Sequence, residues 1–171
     1  MTARRLAPLA AVAALLGGAA SAEEGIGLDA AFLRAGPASA SVVAGYVVIS
    51  NGGDEDDALV GAATDAAGRV ELHEMAMDGD VMRMREVAGG IPVPAGDTVA
   101  LRPGGLHIML TDLTGAFAAG ETREVTLSFA SGAEVTAPFT VARLAEIELA
   151  MEAAGAPAAE GDGAHGAGTD G

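Results

Sequence analysis

The chain of 171 residues contains no cysteine and no tryptophan, and its aromatic residues are one tyrosine and four phenylalanines. Without cysteine, disulfides and thiolate ligands are excluded. Half of the residues are nevertheless hydrophobic. The core must therefore be built mainly from valine, leucine, isoleucine and alanine.

Lysine is also absent, so arginine supplies all nine basic side chains against 24 acidic ones, and the net charge is −15. A charge of this sign argues against nucleic acid or an anionic membrane surface as a partner. The sequence contains neither a Gly-x-Ser-x-Gly nor a His-Glu-x-x-His motif. Together these absences favour a binding protein over an enzyme, and the length indicates one folded domain.

The first 22 residues have the pattern of a signal peptide. Arg4 and Arg5 precede a short apolar run over residues 6–16, and Ala20-Ser21-Ala22 provides a small-residue cleavage site. The run is too short to span a bilayer comfortably, so we predict cleavage after Ala22, export to the periplasm and no membrane insertion. No cysteine follows the cleavage site, so no lipid anchor is expected. The twin arginines leave Sec and Tat export as alternatives.

Short apolar segments separated by Gly, Pro, Asp and Asn predict an all-β domain over residues 23–143, a β-sandwich or barrel. The predicted strands span residues 26–33, 41–50, 58–63, 69–77, 81–87, 98–101, 107–110, 121–129 and 134–141. From residue 144 alanine, glycine and acidic residues dominate. We predict a helical turn or two over residues 145–154, within a C-terminal tail (144–171) that is mostly disordered.

Histidine and methionine concentrate in residues 71–110, which hold two of the three histidines and five of the seven methionines. Asp78-Gly79 between two apolar segments predicts a two-residue hairpin loop. The resulting opposed pairs are His73 with Met84, Glu74 with Arg83, and Met75 with Met82. Because side chains alternate along a strand, His73, Met75, Met82 and Met84 should share one face. His107 and Met109 are two residues apart and also point the same way.

Two His–Met pairs on strands can converge on one metal ion. Thioether sulfur is a soft, uncharged ligand that selects Cu(I), and imidazole also suits copper. Zinc seldom uses methionine, and a blue-copper electron-transfer centre requires a cysteine thiolate. The sequence therefore predicts a Cu(I) site.

Other residues in the chain allow two interpretations. Met75 and Met82 lie on the predicted ligand face, where ligation and gap filling are equally compatible with their positions. Met77 is best explained as a packing residue, and His165 as a solvated residue of the tail. The acidic run over residues 54–57 lacks the ligand spacing of a calcium loop and is interpreted as a solvated turn.

Several segments resemble the periplasmic copper chaperones of the PCuAC family. The resemblance covers roughly residues 26–142. It rests on the motifs Ala44-Gly45-Tyr46-Val47-Val48-Ile49-Ser50-Asn51, Val70-Glu71-Leu72-His73-Glu74-Met75, Met82-Arg83-Met84, Ile91-Pro92-Val93-Pro94-Ala95-Gly96 and Leu101-Arg102-Pro103-Gly104-Gly105-Leu106-His107-Ile108-Met109-Leu110.

The resemblance implies a cupredoxin-like Greek-key fold in which His73, Met84, His107 and Met109 hold Cu(I). It also implies delivery of copper to the binuclear site of cytochrome c oxidase, with subunit II or another copper-assembly protein as partner. The alternative is a periplasmic copper store without a dedicated acceptor. Family members with a Met- and His-rich C-terminal extension gain copper capacity. This tail offers only Met151 and His165, so a second site there is not expected.

Overall fold

The computed structural model describes residues 25–155. Ten strands and one helix lie in this part of the chain: β1 (Ile26–Arg34), β2 (Val42–Asn51), β3 (Asp57–Ala63), β4 (Ala67–Asp78), β5 (Val81–Glu86), β6 (Ile91–Val93), β7 (Thr98–Leu101), β8 (His107–Leu113), β9 (Thr122–Phe129), β10 (Glu134–Ala142) and α1 (Leu144–Ala153). The predicted signal peptide lies outside the described residues.

The strands pair in the order β5-β4-β8-β2-β1-β10-β9-β3-β6, and β7 pairs with β2 beside β8. All pairs are antiparallel except β1 with β10, which is parallel. Within the described residues the two outer strands, β5 and β6, do not pair with each other, so the sheet folds over as a sandwich without closing. The predicted all-β sandwich is confirmed.

Strand β6 was not predicted, because it has only three residues and its central residue is Pro92. Proline cannot donate to a strand ladder and is confined to edges and strand starts. β6 is the last strand of the sheet and pairs only with β3. Proline is therefore tolerated in this edge strand, although its presence in the sequence argued against predicting a strand there.

Alternate residues of β2 point into the sandwich, where Val43, Val47 and Ile49 are buried. Gly45 occupies the inward position between them. A Cβ atom at Gly45 would lie 3.1 Å from Leu33 Cδ2 and 3.3 Å from Ile108 Cβ. Glycine is therefore needed for the close packing of β1, β2 and β8, and it sets the position of the strand that carries His107.

The β4–β5 hairpin turns one residue later than predicted. Asp78 pairs with Val81, so the two-residue loop is Gly79-Asp80. Gly79 has φ +65° while Asp80 is not among the residues of positive φ. Positive φ at the first loop position alone is the requirement of a type II′ turn, which favours glycine there. The prediction assumed a type I′ turn, with positive φ at both loop positions.

The later turn changes every predicted cross-strand pair. The observed pairs are His73 with Glu86, Glu74 with Arg85, Met75 with Met84, and Met77 with Met82. The predicted pairs of His73 with Met84, Glu74 with Arg83 and Met75 with Met82 are therefore wrong. The shift moves each partner by two residues, which is one full period of a strand, so the faces are preserved. His73, Met75, Met82 and Met84 share one face as predicted.

Charged residues on the other face of the hairpin also pair differently. Arg85 Nη2 lies 3.4 Å from Glu74 Oε1. Arg83 Nε lies 2.9 Å from Asp78 Oδ2. Both pairs are exposed, and such pairs contribute about 1 kcal/mol or less.

The helix α1 extends the domain beyond its predicted end at residue 143. Glu146 Oε2 accepts a hydrogen bond from the Arg143 N–H at 2.9 Å, which caps the first turn. Ile147 and Met151 are buried in a second hydrophobic cluster with Tyr46 and Val48 on the outer face of β2. The first ten residues of the predicted tail are therefore helical, and residues 156–171 lie outside the described part.

No helix among residues 25–155 is long and apolar enough to cross a membrane.

We expect Ile147→Ala to destabilise the protein by about 2–5 kcal/mol, because it leaves a cavity beneath α1. Leu149→Ala is the matched control, since Leu149 lies on the exposed side of the same helix. The control should change the free energy of unfolding by no more than about 0.5 kcal/mol. Urea denaturation of both variants measures the difference, and equal values would show that α1 does not stabilise the domain.

Candidate metal centre

The antiparallel pairing of β4 with β8 places two histidines directly opposite each other. His73 pairs with His107, and their ring centroids are 5.9 Å apart with an angle of 47° between the planes. Both rings lie on the outer face of the sheet, because the neighbouring Leu72 and Ile108 are buried in the core. The structure thus brings together two residues that are 34 positions apart in the sequence.

His107 is held by the backbone at the end of the β7–β8 turn. Its residue exposure is 5%. Its Nδ1 atom lies 3.0 Å from the Gly105 carbonyl oxygen, which also accepts the Met75 N–H at 3.2 Å. Because the carbonyl can only accept, Nδ1 must carry the proton in the neutral ring, and Nε2 retains the lone pair.

His73 presents the opposite nitrogen. Its Nε2 atom lies 3.2 Å from Glu71 Oε2, and its buried Nδ1 atom has no hydrogen-bond partner within the described residues. An ionised carboxylate can only accept, so Nε2 carries the proton and Nδ1 retains the lone pair. A buried nitrogen without a partner is costly in a protein interior. A metal ion bound at Nδ1 would satisfy it.

Glu71 orients the His73 ring and is itself held by Arg69, whose Nε atom donates to Glu71 Oε1 at 2.7 Å. The hydrogen bonds from Arg69 hold the pKa of Glu71 below its usual value, and the His73 contact lowers it further. Glu71 was not among the residues predicted for the site. Its place two residues before His73 on one strand face was the available signal, since carboxylates commonly orient metal-binding imidazoles.

The pKa of His107 is lowered from 6.5, chiefly because burial disfavours the charged ring, and the nearby His73 adds to this effect. The Gly105 hydrogen bond acts in the opposite direction, but it raises the pKa less than burial lowers it. His107 is therefore neutral at pH 7, which is the protonation state that a metal ligand requires.

Two thioethers border the histidine pair. Met109 follows His107 by two residues on the same face and is half-buried, and its direct neighbour on β2 is Ala44. Met84 is 47% exposed and lines a cavity of about 390 Å³ that Ala44 also lines. The hairpin therefore brings Met84 to the part of the sheet face that carries Met109. All four predicted ligands lie on one face.

The remaining residues singled out from the sequence have varied positions. Met75 lies directly across from Met84 on the same face. Met77, predicted as a packing residue, is exposed and belongs to neither hydrophobic cluster of the described residues. His165 lies outside the described part.

The acidic run over residues 54–57 forms no metal site in the described residues, where no three His, Cys, Asp or Glu side chains cluster for a metal ion. Asp57 instead accepts hydrogen bonds from Ser131 Oγ at 2.6 Å and the Ala58 N–H at 2.8 Å. Its carboxylate ties β3 to the β9–β10 turn.

The fold is that of PCuAC domains. The chain is similar to the copper-bound PCuAC domain from PmoF2, with 25% identity and a TM-score of 0.57 over 69% of this chain and 92% of that one. It is also similar to CuI-DR1885 from Deinococcus radiodurans, with 30% identity and a TM-score of 0.55 over 74% and 83%. The predicted cupredoxin-like fold is confirmed.

The chain belongs to the family described as "Putative lipoprotein LpqE-like", whose model matches residues 26–141. The chain is also similar to the "Putative lipoprotein Lxx21020" of Leifsonia xyli subsp. xyli (strain CTCB07). It is 35% identical over 118 residues, which are 69% of either chain. The predicted resemblance to PCuAC proteins is thus confirmed for the fold, and the family is the LpqE-like one.

We expect the two imidazoles to be opposite tautomers at pH 7.5, with the proton on Nε2 in His73 and on Nδ1 in His107. Long-range ¹H–¹⁵N spectra of the rings measure this directly. Glu71→Leu should abolish the preference in His73 and leave His107 unchanged. The same tautomer in both rings would contradict the hydrogen bonds of His73 with Glu71 and of His107 with Gly105.

Titration of the same spectra should give a His107 pKa below that of an unperturbed histidine, about 6.5. The unfolded chain then binds a proton near pH 6.5 that the folded protein takes up only at lower pH. The free energy of unfolding should therefore decrease as the pH falls through 6.5. His107→Gln should remove that part of the pH dependence.

Proposed function

We propose that this protein is an exported Cu(I) metallochaperone that holds the ion with His73, Met84, His107 and Met109. The main support is the buried Nδ1 of His73, which has no partner within the described residues and lies beside the His107 ring. The lone pair of this buried nitrogen has no proton donor to accept from, so it is available to a metal ion. No other pair of described imidazoles is available for this purpose.

The chemistry of the four side chains favours Cu(I) over other ions. All four ligands are neutral, and two are soft thioethers, which select Cu(I). The carboxylate of Glu71 lies next to His73, so it partly balances the single positive charge of the ion without being one of the four ligands. Copper is the cargo of this site, and the protein contributes binding and orientation.

The exposure of the ligands suits release to a partner. His107 is 5% exposed and the His73 side chain is 13% exposed, whereas Met84 is 47% exposed on the outer strand β5. An incoming ligand from another protein would meet Met84 first. Replacing one thioether at a time allows transfer without free Cu(I), which makes a carrier a better interpretation than an enzyme.

The similar proteins support the same assignment. One solved relative is a copper-bound PCuAC domain and another is a Cu(I) form of DR1885. The family and the relative from Leifsonia xyli are both described as lipoproteins, which supports export. We place the protein in the periplasm, after cleavage of the signal peptide behind Ala22.

The proposed acceptor is the binuclear copper site of cytochrome c oxidase subunit II, or another copper-assembly protein. The second candidate function is a copper store without a dedicated acceptor. A store would use the same four ligands. The exposure of Met84 is the feature that favours a carrier, because it leaves one ligand accessible to a partner.

Competition with a chromogenic Cu(I) chelator tests the site. We expect one tightly bound Cu(I) per chain, and a loss of affinity of more than about 100-fold in His107→Ala/Met109→Ala, since losing an outer-shell partner alone costs about 10–100-fold. Met151→Leu is the control, because Met151 is buried under α1 in a separate cluster. Affinity should also weaken below about pH 6, where histidine becomes protonated. Unchanged binding in the double variant would disprove this ligand set.

Transfer to an apo domain of oxidase subunit II separates the two candidate functions. A carrier should load the acceptor faster than the rate at which Cu(I) dissociates into a solution containing only chelator. A store should release copper at the dissociation rate whatever acceptor is present. Stopped-flow measurements at several acceptor concentrations distinguish these outcomes.

A further inference from the structure

The tip of the β4–β5 hairpin carries a second pair of methionines outside the four proposed ligands. Met77 and Met82 are direct cross-strand partners, next to the turn at Gly79. They are 62% and 55% exposed. Neither belongs to a hydrophobic cluster of the described residues, so packing does not explain why both positions carry a large apolar side chain.

The geometry of the pair suits one soft ion. Directly opposed residues have Cβ atoms about 4.5–5.5 Å apart, and each methionine has three rotatable bonds. The two sulfur atoms can therefore reach the same ion from opposite strands without any movement of the backbone. Two uncharged thioethers select Cu(I), but they form a weaker site than four ligands that include two imidazoles.

The pair also lies in line with the candidate metal centre. Met75 and Met84 form the next pair on the same face, two residues along each strand. That separation corresponds to about 7 Å along the ribbon. The hairpin thus carries two successive pairs of thioethers, which lead from the exposed tip to the level of the histidines.

We propose that Met77 and Met82 form a second, weaker Cu(I) site, which exchanges its ion with the site at His73 and His107 through Met75 and Met84. The binding of Cu(I) at the tip does not depend on the proposed function. The exchange between the two sites rests on it.

Methyl-¹³C labelling of the methionines in the full chain tests the binding step, with Ag(I) as a soft monovalent probe that air does not oxidise. The first equivalent should shift the methyl signals of Met84 and Met109. Further Ag(I) should shift those of Met77 and Met82 in a saturable manner. Met151, buried in the separate cluster under α1, is the internal reference and should not shift.

The variant Met77→Leu/Met82→Leu should lose the second equivalent and keep the first, because leucine preserves the apolar character and removes only the sulfur. Val81→Ala is the matched control, since it removes an exposed apolar side chain from the same tip without removing sulfur. The control should bind both equivalents. A second equivalent that survives in the double variant, or Met77 and Met82 signals that never shift, would overturn the proposal.

The exchange step has its own readout. Release of the tightly bound Cu(I) to a chelator should become several-fold slower in Met77→Leu/Met82→Leu, while the equilibrium affinity for the first equivalent stays unchanged. Equal release rates would overturn the exchange step alone. If the proposed function itself were wrong, the Met84 and Met109 signals would not respond to the first equivalent, so the two failures are distinguishable.

Discussion

The antiparallel pairing of β4 with β8 is the constraint on which the rest of the site depends. It places His73 opposite His107, and it places Glu71 opposite Met109 on the same face. Because strand pairing has a side-chain period of two, a slip of one residue would turn one histidine into the core. The buried neighbours Leu72 and Ile108 prevent such a slip, since their exposure to water would cost hydrophobic free energy. The hydrophobic core therefore fixes the geometry of the polar face.

Backbone and carboxylate groups then set which nitrogen each ring presents. The Gly105 carbonyl accepts a hydrogen bond from Nδ1 of His107, and it also accepts one from the backbone N–H of Met75. Glu71 fixes His73 and is fixed in turn by Arg69. Each imidazole is thus oriented before any ion arrives. Such preorganisation reduces the entropy lost on binding and limits the reorganisation that release requires.

Much of this arrangement was accessible from the sequence, because it follows from period-two patterning. Alternation along the hairpin predicted correctly that His73, Met75, Met82 and Met84 share a face. The turn could not be located, since Asp78-Gly79-Asp80 permits a glycine in either loop position. In the structure Gly79 alone of these three residues has a positive φ, as the Gly79-Asp80 loop requires. The only sequence signal for Glu71 was its place two residues before His73 on the same strand face, and its hydrogen bond to the ring is visible only in the folded structure.

The helix α1 and strand β6 were difficult for another reason. Residues 144–153 carry four large apolar side chains, and only contact with Tyr46 and Val48 shows that Ile147 and Met151 are the buried ones. Strand β6 is recognised by its pairing with β3, because its own three residues carry almost no strand pattern. In both cases tertiary contacts determine the local structure, and a single sequence does not contain them explicitly.

The position of β5 at the edge of the sheet has a consequence for solubility. An exposed edge strand offers unpaired backbone groups to other chains, and three valine or methionine side chains on it would promote edge-to-edge association. Arg83 and Arg85 alternate with those residues, and charged side chains at an edge oppose such pairing. The alternation lets the strand keep its thioethers open to solvent while the charged side chains oppose pairing with another strand. The arginines of the outer strand thus oppose the aggregation that accessible methionines would otherwise invite.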